Sequence, residues 1–94
     1  MKYKLIQTKK FRKDIVRCKK RGLPLKELKK VLYLLAENGT LPRQYRQHKL
    51  VGTYDGYWEC HIKPDWLLIW EEFENELILV MTDTELMLIR IDLP

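Results

Sequence analysis

The chain has no long hydrophobic run. No apolar stretch approaches the ~20 residues that a membrane-spanning helix requires. The N-terminal residues MKYKLIQTKKFRK also lack the apolar centre of a signal peptide, with lysines on both sides of a short strand-like segment. We therefore expect a cytoplasmic protein that does not associate with a membrane.

Cysteine is scarce as well. Cys18 and Cys60 are far apart, and their spacing matches no metal-binding or redox motif. Free thiols pack readily in cores, which predicts that both are reduced and buried. The chain also has no repeat, low-complexity tract or linker, and its 94 residues suit one domain, 1–94. No cofactor and no metal site are expected.

Acidic residues are rare in the first half of the chain. Residues 1–50 carry 16 Lys and Arg side chains against three acidic ones, a net charge of +13. Residues 51–94 carry two basic and ten acidic side chains, a net charge of −8. A dense basic face favours a nucleic-acid partner, because each neutralised phosphate adds affinity; a solvated lysine-rich helix surface is the alternative. The candidate RNA-binding residues in the first helical segment are Lys9, Lys10, Arg12, Lys13 and Arg17.

Two helices are predicted in this basic half. Thr8 can cap the first helix, and Gly22 can end it in the left-handed conformation. Pro24 suits the first turn of the second helix, and Asn38-Gly39 ends it. Both helices have apolar stripes, which need one face of a sheet as a common partner. The stripes are Phe11, Ile15 and Cys18 in the first helix, and Leu28, Val31, Leu32, Leu35 and Ala36 in the second.

Four strands are predicted around the helices. One precedes them at residues 3–7, and three follow as a meander at 57–62, 66–73 and 77–82. The polar stretch 40–56 is expected to form a long irregular connection, which is usually a functional feature. The tail 86–94 could form a fifth strand or a short helix. The order β-α-α-β-β-β predicts an α+β fold, with a helical hairpin packed on a small antiparallel sheet.

The two histidines suggest acid–base chemistry. His48 lies in the polar connection, and His61 lies near a strand end, just before the Pro64-Asp65 corner. Histidine exchanges protons near neutral pH. RNA is cut when a base removes the 2′-hydroxyl proton and an acid protonates the departing 5′-oxygen. The rings would converge if the connection folded back over the open sheet face, where Asp65 could act as a base or orient a histidine.

Neighbouring side chains are candidates for holding RNA. Lys49 and Lys63 could contact phosphate, and Trp66 or Tyr57 could stack on a base. Structural explanations exist for the same features, since Asp65 after Pro64 suits a type I turn and tryptophans in strands are usually core residues. The residues alone leave the catalytic and the structural explanation open.

These residues form two linked motifs. Leu41-Pro42-x-x-Tyr45-x-x-His48-x-Leu50-x-Gly52 is followed by Tyr57-x-Glu59-Cys60-His61-Ile62-Lys63-Pro64-Asp65-Trp66. With the basic helical hairpin, they resemble the YafQ branch of the RelE/ParE toxin superfamily, from Lys9 to about Glu85. The resemblance implies a microbial-ribonuclease-like α+β fold. The residues matching His48, His61 and Asp65 then belong to the active site, with Trp66 beside it.

The resemblance also implies a function and partners. Such a toxin cuts mRNA in the ribosomal A site without a metal, which inhibits translation. A cognate, DinJ-like antitoxin neutralises it, and the complex of the two binds the DNA of their own operator.

The last strand departs from the pattern of that group. Arg-x-Gly-[ST]-His is usual there, whereas this chain has Met81-Thr82-Asp83-Thr84-Glu85. Met81 thus replaces the phosphate-binding arginine, and Glu85, a candidate base, replaces the last histidine. Lys49, Lys63 or Arg90 could compensate for the missing guanidinium. Two alternatives stay open: a catalytically attenuated, toxin-like binding module that acts through antitoxin or ribosome contacts, and a gyrase-inhibiting relative, against which the paired histidines argue.

Overall fold

The computed structural model describes residues 2–52 and 55–84. Two helices and five strands follow one another as β1 (Lys4–Gln7), α1 (Lys9–Lys20), α2 (Leu25–Asn38), β2 (His48–Lys49), β3 (Tyr57–Lys63), β4 (Trp66–Glu72) and β5 (Glu76–Thr84). A 3-10 turn at Arg43–Tyr45 lies between α2 and β2. The predicted α+β fold is confirmed. Glu85 and the tail 86–94 lie outside the described residues.

The strands form one sheet in the order β1-β5-β4-β3-β2. β1 runs parallel to β5, and the other neighbours are antiparallel. In the edge strand β2, His48 pairs with Glu59 and Lys49 with Trp58. The prediction of an irregular connection over all of 40–56 is therefore wrong at these two residues. A two-residue strand is too short to produce an alternating pattern in the sequence.

The predicted helix ends are confirmed except at Pro24, which lies just before α2 as its N-cap residue rather than in its first turn. The Thr8 hydroxyl accepts a hydrogen bond of 3.1 Å from the backbone N–H of Phe11 and so caps α1. Gly39 follows α2 with a φ of 73°, where a side chain would be strained. A Cβ at Gly39 would also collide with the ring of Tyr3. This glycine therefore ends α2 and lets the start of the chain pack closely against it.

The two helices cover one face of the sheet, as their stripes predict. Between the helices and the sheet lies the main core of buried side chains: Phe11, Cys18, Leu28, Val31, Leu35, Tyr45, Cys60, Ile62, Trp66, Leu68, Trp70, Leu77 and Leu79. The opposite face carries a smaller cluster of Leu67, Ile69 and Met81, against which Leu50, Tyr57 and Val80 pack. Neither helix is long and apolar enough to cross a membrane within the described part of the chain.

Both cysteines are free and buried, as predicted. Burial, with a smaller contribution from the nearby Glu59 carboxylate, raises the pKa of the Cys60 thiol to about 12. Burial also raises the pKa of Cys18 to about 11, with contributions from Asp83 and Asp14. Both thiols are therefore protonated and unreactive at neutral pH.

Candidate active site

Strand β3 divides its side chains between the two sheet faces. Cys60 and Ile62 belong to the core beneath the helices, whereas Tyr57 packs against the smaller cluster on the other face. Because side chains alternate along a strand, Glu59 and His61 share the face of Tyr57. The register with β4 shifts just after His61, between His61 and Lys63. This irregularity lies at the corner that leads to Asp65.

The structure brings His48 and His61 together on this face. Their ring centroids are 6.2 Å apart, and the ring planes are inclined by 32°. The pairing of His48 with Glu59 causes this proximity, since it sets the two rings diagonally on neighbouring strands. The predicted convergence therefore occurs through strand pairing rather than through a loop folded over the sheet.

His48 is held by two groups that only accept hydrogen bonds. Its Nδ1 lies 2.7 Å from the carbonyl oxygen of Arg46, and its Nε2 lies 3.0 Å from Oε1 of Glu59. Both contacts are hydrogen bonds only when both ring nitrogens carry a proton. In its imidazolium form His48 donates both hydrogen bonds, and in that form it can act as an acid.

His61 has a different arrangement. Its Nδ1 lies 3.0 Å from the carbonyl oxygen of Pro64, so Nδ1 is the donor and the neutral ring keeps its lone pair on Nε2. This tautomer can act as a base at Nε2. Asp65 is exposed and follows Pro64 directly in the corner. The structure therefore gathers His48, His61 and the Asp65 corner at one end of β3.

Glu59 is a site residue that the sequence interpretation missed as a functional group. Its side chain is 15% exposed, and it contacts His48 at 3.0 Å. The alternation of β3 does place Glu59 on the same face as His61. Only the register of β2 shows that its carboxylate meets His48, and that register depends on a strand too short to recognise in the sequence.

A cavity of about 190 Å³ adjoins His61. It lies between the 3-10 turn and the end of β3. The residues that line it are Gln44, Tyr45, Arg46, His61, Ile62, Lys63 and Pro64. Arg46 thus borders the cavity and also holds His48 through its carbonyl group.

Trp66 cannot stack on a nucleobase, which corrects its predicted role in RNA binding. Its side chain is 0% exposed in the core beneath the helices. Its indole N–H donates to the Thr82 hydroxyl at 2.9 Å, and that hydroxyl donates to the carbonyl of Leu67 at 2.8 Å. Trp66 is the first residue of β4, and its strand position points it toward the helices rather than toward the histidines.

Two of the predicted RNA-binding cations on α1 form ion pairs with buried carboxylates instead of being free. Lys10 contacts Asp14 at 3.0 Å, and Arg17 contacts Asp83 at 2.7 Å. Their side chains stay 40% and 42% exposed. The remaining predicted cations of α1, namely Lys9, Arg12 and Lys13, are exposed.

The two lysines near the histidines also have partners. The ammonium group of Lys49 lies 5.4 Å from the ring centroid of Trp58, a cation–π distance. Lys63 Nζ lies 3.9 Å from Oε1 of Glu27, at the limit of an ion pair, and its side chain is 48% exposed. Both lysines remain accessible to an anionic ligand, so their predicted contact with phosphate stays a prediction.

Met81 lies in the apolar cluster on the histidine-bearing face. It is 6% exposed and pairs with Ile69 across the strands. No cation therefore comes from this position of β5. Within the described residues, no group of three or more His, Cys, Asp or Glu side chains is arranged to hold a metal ion.

Comparison with known proteins agrees with this architecture. A family model described as "Bacterial toxin of type II toxin-antitoxin system, YafQ" matches residues 3–89. The mRNA interferase toxin YafQ of Escherichia coli K12 is 35% identical over 75 residues, which are 79% of this chain and 82% of that protein. The fold and the sequence thus define a bacterial toxin of the type II toxin–antitoxin class. Within this class, the chain belongs to the YafQ family.

Solved structures show the same fold. The crystal structure of YafQ from E. coli BL21(DE3) has a TM-score of 0.86 and 31% identity, and covers 92% of this chain and 97% of that one. The toxin chain in the E. coli DinJ–YafQ toxin–antitoxin complex has a TM-score of 0.85 and 30% identity, and covers 94% of this chain and 98% of that one.

Proposed function

We propose that this protein is an mRNA interferase, the toxin of a type II toxin–antitoxin module that cuts mRNA on the ribosome. The observation that carries the proposal is the pair of His48 and His61, with rings 6.2 Å apart on the sheet face that the helices leave open. Two imidazoles at this distance can serve as the acid and the base of one cleavage reaction. The E. coli relative at 35% identity is named an mRNA interferase toxin, which supports the same activity here.

The hydrogen bonds of the two rings suggest how the reaction is divided between them. His61, with its donor Nδ1 committed to Pro64, takes the 2′-hydroxyl proton at Nε2. The 2′-oxygen then forms a bond to phosphorus, and the bond from phosphorus to the 5′-oxygen breaks. His48, whose ring nitrogens contact the Arg46 carbonyl and the Glu59 carboxylate, gives a proton from its imidazolium form to the departing 5′-oxygen. A 2′,3′-cyclic phosphate and a 5′-hydroxyl are the balanced products, and no metal is needed.

Asp65 has a supporting role in this mechanism. It adjoins the carbonyl group of Pro64 that fixes His61. Its exposed carboxylate can stabilise the charge that forms on His61 when that ring accepts a proton. Glu85, at the position where the family pattern has histidine, is a further candidate base.

The exposed cations of α1 supply the affinity for the ribosome in this proposal. Lys9, Arg12 and Lys13 carry no ion pair to a described residue, and their charges can meet ribosomal RNA phosphates. Lys10 and Arg17 contribute less, because their charges are partly neutralised by Asp14 and Asp83.

A cognate antitoxin is the proposed regulator. The similar E. coli toxin is seen in complex with DinJ. We expect a DinJ-like antitoxin to neutralise this toxin, and operator DNA to be bound only through the complex of both proteins.

Cleavage is proposed to be attenuated. Met81 occupies the position of the phosphate-binding arginine in the family pattern, and its apolar side chain is packed against Leu67 and Ile69. A methionine provides no hydrogen-bond donor to a crowded phosphate, whereas an arginine provides a rigid bidentate pair. The same observation favours the second candidate function, a toxin-like binding module without effective cleavage.

Induced expression with and without the antitoxin tests the proposal. Wild-type protein should slow growth and leave codon-phased mRNA ends on stalled ribosomes. His61→Ala should lower cleavage by about 10²–10⁴-fold, because it removes one proton-transfer group. Glu59→Gln should lower cleavage by weakening the hold on His48. Glu72→Gln is the matched control, since Glu72 is exposed at the far end of β4, and it should cleave like the wild type.

Three results would contradict the proposal. Wild-type protein that neither slows growth nor leaves phased cuts is not an mRNA interferase. If His61→Ala and Asp65→Ala fold and still inhibit growth as strongly as the wild type, the protein acts by binding alone. Intact mRNA together with accumulated DNA breaks would instead indicate a gyrase inhibitor.

A further inference from the structure

The cavity beside His61 is too small for a whole small-molecule ligand. Its volume is about 190 Å³, whereas pockets that enclose such ligands usually measure about 300–1,000 Å³. It adjoins His61, and the residues that line it include Gln44, Arg46 and Lys63, whose side chains carry an amide or a positive charge. A cavity of this kind fits one polar group of a longer molecule that continues along the surface.

Arg46 has an unusual backbone conformation at this cavity. Its φ is 52°, and among the described residues it is the one non-glycine residue with a positive φ. Side chains of L-residues disfavour this region, and such conformations are concentrated at functional sites. The conformation ends the 3-10 turn and directs the Arg46 carbonyl to Nδ1 of His48, at 2.7 Å. Arg46 therefore connects the cavity with the histidine pair.

Arg46 is also the least neutralised cation of the cavity wall. Lys63 approaches the Glu27 carboxylate at 3.9 Å, whereas the Arg46 guanidinium forms no ion pair with a described residue and the residue is exposed. Among the described residues, β4 and β5 place the apolar side chains of Leu67, Ile69 and Met81 on this face of the sheet. A phosphate near the two rings can therefore obtain its positive partner from the rim of the site, where Arg46 lies.

We propose that this cavity is a subsite for a phosphate group of the RNA chain, next to the bond that is cut, and that Arg46 binds this phosphate. The identity of the ligand as RNA rests on the proposed function. A guanidinium presents parallel N–H donors that match two phosphate oxygens, and such charge-assisted pairs are strong. Arg46 carries both the guanidinium and the carbonyl group that contacts Nδ1 of His48, so that RNA binding and the orientation of the acid are coupled.

Substitution of Arg46 by asparagine tests the role of the guanidinium separately from the role of the backbone carbonyl. Asparagine tolerates the left-handed region, so Arg46→Asn removes the charge while the carbonyl that holds His48 stays in place. Arg43→Asn is the matched control, because Arg43 is an exposed arginine of the same turn that does not line the cavity. In single-turnover cleavage on programmed ribosomes, Arg46→Asn should be slower by on the order of 10- to 100-fold, and Arg46→Lys should be intermediate. Arg43→Asn should match the wild type.

A phosphate titration tests the cavity without depending on cleavage. Inorganic phosphate should shift the backbone amide NMR signals of Gln44, Arg46 and Lys63 in the wild type and in Arg43→Asn. Chloride at the same ionic strength should not. Arg46→Asn should lose the phosphate response and keep the His48 ring signals of the wild type, which shows that the turn is intact.

The two measurements separate the possible failures. Equal cleavage by Arg46→Asn and Arg43→Asn overturns the assignment of Arg46, and so does an equal phosphate response of these two variants. A wild-type protein that does not cut mRNA overturns the proposed function instead. In that case the phosphate titration still decides whether the cavity binds a phosphate through Arg46.

Discussion

At the scale of single residues, Met81 is where chemistry and packing conflict most directly. Its side chain fills the apolar cluster with Leu67 and Ile69, and this packing stabilises the open face of the sheet. The same position lies where the family pattern has a phosphate-binding arginine. Stability and transition-state binding therefore make opposite demands on residue 81.

Met81→Arg should increase the rate of mRNA cleavage. The added guanidinium can hold the phosphate in the transition state, where one such donor is worth about 10²–10³-fold. The long stem of arginine can stay on Leu67 and Ile69 while its charged head reaches water. The measurement is the single-turnover cleavage rate on programmed ribosomes, with the midpoint of urea unfolding as a check on folding. Met81→Leu is the control and should leave the rate unchanged.

A folded Met81→Arg variant that cuts no faster than Met81→Leu would contradict this expectation. It would mean that the missing arginine does not limit cleavage.

The sequence predicts some residues of the site better than others. His48 and His61 can be chosen because histidine is a rare proton-exchanging group and because both belong to motifs. Glu59 and Arg46 cannot be chosen in this way, since they act on His48 through a strand register and through a backbone carbonyl. Such contacts depend on the tertiary positions of main-chain atoms, which no side-chain pattern specifies.

At the scale of secondary-structure elements, ion pairs fasten α1 to β5. Arg17 and Arg21 each reach the fully buried carboxylate of Asp83 at 2.7 Å. Asp14, also fully buried, contacts Lys10 and accepts a hydrogen bond of 3.1 Å from the Thr82 backbone N–H. The buried carboxylates are thus satisfied by cations of α1 and by Arg21, the residue that caps its C-terminal end, and the helix is held at the end of β5 that leads to the active site.

Arg17→Gln should reduce stability, whereas Arg12→Gln should reduce ribosome binding. Arg17→Gln leaves part of the buried Asp83 charge uncompensated, so it should lower the free energy of unfolding by about 1–3 kcal/mol. Arg12 is exposed and pairs with no described residue, so Arg12→Gln should keep that free energy within about 0.5 kcal/mol. It should instead weaken ribosome binding. Urea unfolding and co-sedimentation with ribosomes measure the two effects.

The two variants must be compared in both stability and ribosome binding. If Arg12→Gln destabilises the fold more than Arg17→Gln does, the fastening of α1 through Asp83 is wrong. If Arg17→Gln alone weakens ribosome binding, Arg17 is an RNA contact after all.

The positions of helices and strands were predicted accurately where a hydrophobic pattern extends over many residues. Both helices and strands β3 to β5 follow from apolar stripes and alternation, with ends displaced by a few residues. Two features were not predictable in this way. β1 pairs in parallel with β5 across the whole chain, and Asp14 is buried although it lies among surface lysines in the sequence. Both depend on long-range contacts, which a local pattern does not contain.

At the scale of the whole molecule, the basic and the acidic halves of the sequence form different parts of the structure. The basic first half supplies α1 with its exposed cations, and the second half supplies most of the sheet. Between them lies one core in which Cys60 is fully buried against the helices. The stability of this core is therefore coupled to the protonation of a thiol.

The stability contribution of Cys60 should disappear in alkaline solution. Folding raises the thiol pKa from the usual 9.0 to about 12, mainly through burial. The unfolded chain therefore loses the proton first, so the contribution is complete below pH 9.0 and is lost as pH rises from there toward about 12.

The comparison of wild type with Cys60→Ala measures this contribution. Cys60→Ala has no thiol at this position, and the titration of all other groups cancels when the two proteins are compared. The difference in unfolding free energy between wild type and Cys60→Ala should be constant from about pH 7 to about pH 8.5 and should shrink at about pH 10.5. A difference that stays constant through that range would mean that Cys60 is not held in its protonated form by the core.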